Sequence, residues 1–341
     1  MKRLLPVVLV IGLLAIASAI GIWRQYHGFL ETQLNIGESG LVLNIAKGDN
    51  LRTVVTKLEQ RAVTRFDWRW RLLSRLRPMT IKTGEYALRA PMRPVELLEL
   101  LDSGKVIAYR FTIVEGWTVK QLLAELAKNA IIQHTIESVS DINGLPGLPT
   151  GHPEGWFLPE TYLFVRGDTD VEILRRAHAD MQTALTSTWH GRDTGLPLET
   201  PEELLTLASI VEKETAIADE RAEIAGVFVR RLLKRWRLET DPTVIYGMGD
   251  SYQGDIRRRD LKSDTPYTTY TRRGLPPTPI ALPGLAALQA TAHPADGEAM
   301  FFVADGQGGH TFSSTLEAHN KAVQQMLKRH RNNTSKPVKS Q

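Results

Sequence analysis

Cysteine is absent from the 341-residue chain, which excludes disulfides, thiol nucleophiles and thiolate metal sites together. His293, His310 and His319 lie far apart and form no HExxH pattern, so no metal site is expected. A phosphate loop, a nucleophile elbow and a dinucleotide fingerprint are missing too, and no cofactor is expected. Charge of one sign is also scarce in excess. Against 42 Lys and Arg stand 38 Asp and Glu, a net charge of +4. The basic residues are interspersed with acidic ones rather than clustered, so nucleic acid is not the expected partner. Hydrophobic residues at 42% and charged residues at 23% suit a packed core. The length exceeds what one core usually holds, so more than one unit is expected.

Charged side chains are missing altogether from residues 4–23, LLPVVLVIGLLAIASAIGIW. As a helix this run extends roughly 30 Å, the thickness of a bilayer core. Lys2 and Arg3 precede it, and Trp23 and Tyr26 follow it at interfacial depth, which predicts a cytoplasmic N-terminus and an exported remainder. Arg24 weakens that asymmetry. Ala17-Ser18-Ala19 has the small-x-small form of a signal-peptide cleavage site. The apolar run continues through Ile20, Ile22 and Trp23, which favours an uncleaved anchor; both readings export the domain.

The remaining chain predicts an α+β protein with a small module followed by a larger domain. Residues 1–25 form the tip and membrane helix, and 26–40 a connector. A unit over 41–105 opens with the strand-like Leu41 to Ile45 and a turn at residues 47–50. Leu51, Val54, Val55 and Leu58 then recur at helical spacing. A second helix over 66–76, a strand over 81–88 and a helix from Pro94 to Ser103 before Gly104 complete it. This scale and order resemble those of a LysM-like carbohydrate-binding module; a spacer that lifts the next domain off the membrane fits nearly as well.

The larger domain, 106–327, begins with an alternating strand at 109–114 and a helix from Val119. The Pro/Gly-rich loop from Gly144 to Gly155 delivers Trp156, Phe157, Pro159, Glu160, Thr161 and Tyr162; its aromatics suit stacking on sugars or plugging a core, and Glu160 is a candidate substrate contact. A polar, basic tail over 328–341 reads as a solvated, frayed terminus.

A strong helix start stands at Thr200-Pro201-Glu202-Glu203, with Thr200 as N-cap and Glu203 placed to complete a capping box. The helix is expected to continue through LLTLASIVEKETA. Leu204, Leu207, Ala208 and Val211 then form one buried face, and Glu212 and Glu214 fall on its two flanks. A carboxyl at an apolar boundary has a raised pKa, useful to a general acid. Periodicity places Glu214 only slightly nearer the apolar stripe, too little to choose between the two, and a solvated salt-bridged face is the ordinary reading of such a triplet.

Five separated stretches bear on that choice: LASIVEKETAIADERAEIAGVFVRRL, LETDPTVIYGMG, YTTYTRRGLPPTPIALPG, AHPA and FFVADGQGGHTFSSTLEAHN, besides EGWFLPETY at 154–162. In this order they resemble the endolytic murein transglycosylase, or YceG-like, family, from the membrane helix to Asn320. The resemblance implies a bacterial inner-membrane protein with a periplasmic domain. The implied reaction is lytic cleavage of the β-1,4 bond between N-acetylmuramic acid and N-acetylglucosamine inside peptidoglycan glycan strands, leaving 1,6-anhydro ends and terminating or trimming nascent strands. The family's catalytic glutamate is the second Glu of the EKE motif, here Glu214. Peptidoglycan synthases are the implied partners. Where the family has asparagine, this chain has Thr268, which puts a direct role at that position in doubt.

One carboxylate suffices for lytic chemistry, because the muramoyl C6 hydroxyl is an intramolecular nucleophile that arrives preoriented, whereas ordinary glycosidases use two. Asp241 and Tyr246 are expected on a cleft wall, with Asp241 holding sugar hydroxyls or its own loop, and Tyr267 and Tyr270 against glycan. Two other classes compete. One is a membrane-anchored peptidoglycan-binding scaffold without cleavage; the other is a hydrolase using Glu160 or Asp241 as second carboxylate.

Overall fold

A computed structural model describes the backbone of residues 4–334. The charged tip, Met1–Arg3, and residues 335–341 of the polar tail lie outside the described residues. Leu4–Glu31 is one helix, α1. The side chains of residues 7–20 are exposed, 65% for Val8, as is Trp23 at 60%, and Val7–Glu31 is long and apolar enough to cross a membrane. The helix outlasts the apolar run. Phe29, near its end, is buried edge-to-face on Trp70 at 5.2 Å between ring centroids, and Leu34 and Ile36 follow it into the same core.

The chain divides into two compact units. The first holds the described residues up to Tyr109 together with Leu163–Gly167. Strand β1, Leu41–Ile45, pairs antiparallel with β2, Gly84–Leu88, in the register Leu41↔Leu88 to Ile45↔Gly84. Alternation turns Leu43 and Ile45 inward. Between the strands lie α2, Leu51–Glu59, and α3, Trp68–Leu76. Asn50 caps α2 by accepting from Thr53 N at 3.1 Å. Asp67 caps α3 by accepting from Arg69 N at 2.9 Å, so that helix starts two residues later than periodicity predicts. Strand β2 likewise starts late, because Lys82 N turns to Leu101 O at 3.4 Å. Helix α4, Pro94–Ser103, ends on Gly104 at φ +70°, a left-handed cap that glycine adopts without strain. Trp70, Tyr86, Leu88, Leu97 and Leu101 close the core with Leu43 and Ile45.

The second unit comprises Arg110–Tyr162 and the described residues from Asp168. Of strands β3, Tyr109–Thr112, and β4, Thr161–Phe164, residues 110–112 and 161–162 belong to this unit, where the Thr112 and Thr161 hydroxyls lie 2.9 Å apart. Strands β5, Phe301–Ala304, and β6, His310–Ser313, form an antiparallel hairpin. The α-helices of this unit are α5 Val119–Ala127, α6 Asp170–Gly191, α7 Pro201–Glu214, α8 Arg221–Leu233, α9 Asp241–Met248, α10 Leu285–Ala292 and α11 Leu316–Thr334.

Helix α7 is the centre of this unit, packed by α6, α8 and α10. Every residue from Leu204 to Val211 is buried, so the expected single apolar face is too narrow: neighbours on several sides also cover Thr206 and Ser209. Their hydroxyls are satisfied by the helix itself, Thr206 donating to Glu202 O and Ser209 to Thr206 O. Thr200 caps α7 by accepting from Glu203 N at 3.2 Å, but the Glu203 carboxylate receives Glu199 N instead of completing the capping box. The helix ends at Glu214, not at Ala216, because Thr215 turns to extended backbone at φ −146° and ψ 140°. Residues 328–334 continue α11.

Candidate active site

Because α7 leaves the core at its last turn, Glu214 stands where the buried part of the helix ends. The two glutamates of the triplet diverge there. Glu212 Oε2 accepts from Gly284 N at 3.0 Å, and its carboxylate lies 3.8 Å from Arg221. That side chain is 5% exposed and is spent holding the start of α10. Burial and the nearby Glu115 charge raise its pKa, against the Gly284 N–H and Arg221.

Glu214 is half-buried and turns to the N-terminal end of α9. Thr240 Oγ1 donates to Glu214 Oε1. Thr240 is itself locked, its N–H donating to Thr269 Oγ1 at 3.1 Å while Thr243 Oγ1 donates to Thr240 O at 2.8 Å. A hydroxyl whose own backbone is fixed on two sides presents its proton in one direction, which orients the carboxyl. Desolvation pushes the Glu214 pKa up to about 7, helped by the Asp241 charge and opposed by the Thr240 hydrogen bond, His310 and Arg231. Near neutrality such a group exists in both protonation states, the property an acid that must become a base requires.

Tyr270 Oη donates to Asp241 Oδ1 at 2.7 Å beside this carboxyl. Burial and that bond raise the phenol above its ordinary range. The chain just after Glu214 is pinned as well: Thr215 Oγ1 donates to Glu220 Oε2 at 3.2 Å, and Glu220 grips His310 at its N–H (2.8 Å) and Nδ1 (2.7 Å). Arg231, buried, donates through Nε to Met300 O at 2.8 Å. Asp241 and Tyr270 are thus brought to Glu214.

Tyr246 and Tyr267 gather elsewhere. Their rings meet edge-to-face at 4.9 Å, Tyr246 Oη donates to Glu154 Oε2 at 3.1 Å, and Tyr267 Oη pairs with Thr278 Oγ1 at 2.9 Å. Glu160 joins neither group: it is exposed and accepts from the adjacent Thr161 N at 2.7 Å. Thr268 is buried in a turn, its hydroxyl 2.8 Å from that of Thr265, while its neighbour Thr269 supports Thr240. Of the loop aromatics, Phe157 and Tyr162 plug the core and Trp156 is half-buried against His178.

Sequence reasoning passed over Thr240, Glu154, Glu220 and Arg231 as functional side chains. Thr240 directly precedes Asp241, and Glu154 opens EGWFLPETY, but nothing in their spacing says which carboxyl each meets. Glu154 follows two turns and precedes Gly155, whose φ of +85° and whose missing Cβ, which would stand 2.5 Å from Pro279 Cβ, let the loop fold in tightly.

The profile of the YceG-like family matches residues 43–325. An endolytic murein transglycosylase of Bacillus subtilis is 28% identical over 84% of this chain and 84% of its own length. One of Streptococcus pneumoniae is 27% identical over 91% of this chain, which spans 63% of that relative's length. The crystal structure of a yceG-like protein from Listeria monocytogenes aligns with a TM-score of 0.51 at 27% identity, covering 84% of this chain and 99% of that one.

Proposed function

The chain belongs to the YceG-like family, and on that premise we propose that it is an endolytic lytic transglycosylase of peptidoglycan with Glu214 as its single acid/base catalyst. The observation that carries the reading is the Glu214 carboxyl itself: it ends a buried helix, is oriented by Thr240 Oγ1, and is poised near pH 7. Protonated Glu214 donates to the glycosidic oxygen between N-acetylmuramic acid and N-acetylglucosamine as the bond to C1 breaks. The resulting carboxylate takes the proton of the muramoyl C6 hydroxyl while that oxygen bonds to C1, closing the 1,6-anhydro ring. No water is consumed. The carboxyl regains its proton and the cycle closes.

Asp241 and Tyr270 line the cleaved bond, and Tyr246 and Tyr267 contact glycan farther along; Glu160, exposed, serves at most at the periphery of the strand. The first unit, with two strands flanking two helices, acts as a LysM-like glycan-binding module. Residues 4–23 anchor the chain in the inner membrane with the N-terminus cytoplasmic and the catalytic domain periplasmic, where it trims or terminates nascent strands beside peptidoglycan synthases.

The test is release of 1,6-anhydro-ended fragments from purified glycan by wild type and Glu214→Gln. Loss of release by a folded variant is expected, and undiminished release overturns the assignment. Deleting residues 41–105 is expected to weaken retention on insoluble peptidoglycan; unchanged retention makes that segment a spacer. A C-terminal reporter should be periplasmic on a full-length, membrane-held protein, and a mature form starting at Ile20 would show a cleaved signal peptide instead.

A further inference from the structure

Beyond the residues around Glu214, the second unit holds a cavity of about 550 Å³ near the other end of α9, well within the size range of ligand sites. Tyr246 and Tyr267 give it aromatic surface, and Gln121, Lys120, His152 and Glu154 give it polar groups. We propose that this cavity is a second glycan subsite, which takes an N-acetylated sugar residue of the strand beyond those cleaved at Glu214. The proposal rests on the function assigned above and extends it to a stretch of protein that the chemistry itself does not use.

Three observations carry it. The first is continuity. Helix α9 starts at Asp241, beside Glu214, and Ile245, Tyr246 and Gly249 from its later part line the cavity. The five steps from Asp241 to Tyr246 advance about 7.5 Å along the axis and turn about 140° around it, so a strand that reaches both the carboxyl and the cavity crosses the helix obliquely.

The second is a built support. Glu154 is 4% exposed, and both of its oxygens are engaged, Oε1 by Val119 N at 2.9 Å at the start of α5 and Oε2 by Tyr246 Oη at 3.1 Å. With its proton committed to Glu154, the Tyr246 phenol keeps its oxygen lone pairs for a donor from the ligand, and its ring cannot swing away from that of Tyr267. Glu154 is therefore a positioning residue.

The third is charge. Lys120 at the rim is paired with Asp250, burial pushes the His152 pKa down, and burial raises Glu154 to about 7 against its N–H and O–H donors. The lining thus has no surplus positive charge for a phosphate or an acidic peptide. Aromatic faces with hydroxyl, amide and carboxyl edges instead match the C–H faces, hydroxyls and acetamide of an amino sugar.

Binding of labelled glycan strands stripped of stem peptides, measured on the full-length Glu214→Gln protein in detergent, tests the assignment without cleavage. Val139→Trp, which plugs the cavity from a half-buried lining position, is expected to weaken binding at least tenfold, about 1.4 kcal/mol, and Gln121→Ala and Lys120→Ala by smaller factors. Thermal melts accompany each variant, and the two rim substitutions carry the test if the tryptophan does not fold. In the active protein the same changes should raise KM on long strands more than they lower kcat. Unaltered affinity in the folded variants overturns the subsite. Sensitivity seen only with peptide-bearing strands overturns the sugar assignment. Fragment release by the Glu214→Gln protein contradicts the catalytic reading instead, a separate readout.

Discussion

Two carboxyls in the second unit have pKa values raised to about 7, Glu154 and Glu214, both by loss of solvent. Their surroundings differ in the way that matters for chemistry. Glu154 has a donor on each oxygen, one from a helix start and one from a phenol. Glu214 has Thr240 on Oε1, and among the described residues nothing donates to Oε2. The first group is held at both ends and shapes a wall, while the second keeps one oxygen for a reacting partner. A raised pKa marks a buried carboxyl, and the catalytic role proposed for Glu214 rests on its free oxygen as well as on its pKa.

The sharpest way to break this contrast is to neutralise each group. Glu214→Gln should cost about 10²- to 10⁴-fold in cleavage rate or more, since in the proposed mechanism one residue serves both half-reactions, and fragment release over time reads it directly. Thr240→Val keeps the shape but removes the donor. A loss of about ten- to a hundredfold is expected, because charge-assisted hydrogen bonds contribute roughly 1.5–3 kcal/mol. The Thr240 bond lowers the Glu214 pKa, so its removal should raise that pKa and move the alkaline limb of kcat/KM to higher pH. In the wild type that limb should fall as Glu214 loses its proton through about pH 7.

Glu154→Gln should act mostly on KM, by less than about tenfold, because an amide can still accept from Val119 N and pair with the Tyr246 hydroxyl. Glu212→Gln should retain substantial activity, since an amide oxygen can still accept from Gly284 N. Equal losses for Glu212→Gln and Glu214→Gln would erase the distinction between the two flanks of α7.

A further effect is thermodynamic. A carboxyl whose folded pKa stands above its unfolded value of 4.5 penalises the folded state once ionised, and that penalty grows as pH rises from there to about 7. Glu214→Gln should therefore melt higher than wild type at about pH 8 and alike at about pH 4. Equal melting at the higher pH would mean that Glu214 is not desolvated.

What could be read from the sequence follows the range of the forces involved. Local signals were legible: the apolar run of α1, the caps of α4 and α7, the strands β1 and β2, and the triplet that bears Glu214. The extent of burial on α7 was not, because Thr206 and Ser209 look like surface residues until α6, α8 and α10 close over them. Nor were the partners that choose between Glu212 and Glu214. Thr240 stands 26 residues from Glu214 and Gly284 stands 72 from Glu212, separations that no periodicity encodes. The role of Glu154 depends on a phenol 92 residues away. Resemblance supplied the glutamate, and geometry supplies a physical reason for it.

The most direct measurement is product analysis of peptide-free glycan strands cleaved in water enriched in heavy oxygen. A single acid/base at Glu214 with the muramoyl C6 hydroxyl as nucleophile predicts fragments whose summed mass equals that of the parent strand, with 1,6-anhydro ends and no heavy oxygen at C1. Fragments that carry one added water, labelled at C1, would contradict it and require a second group that activates water.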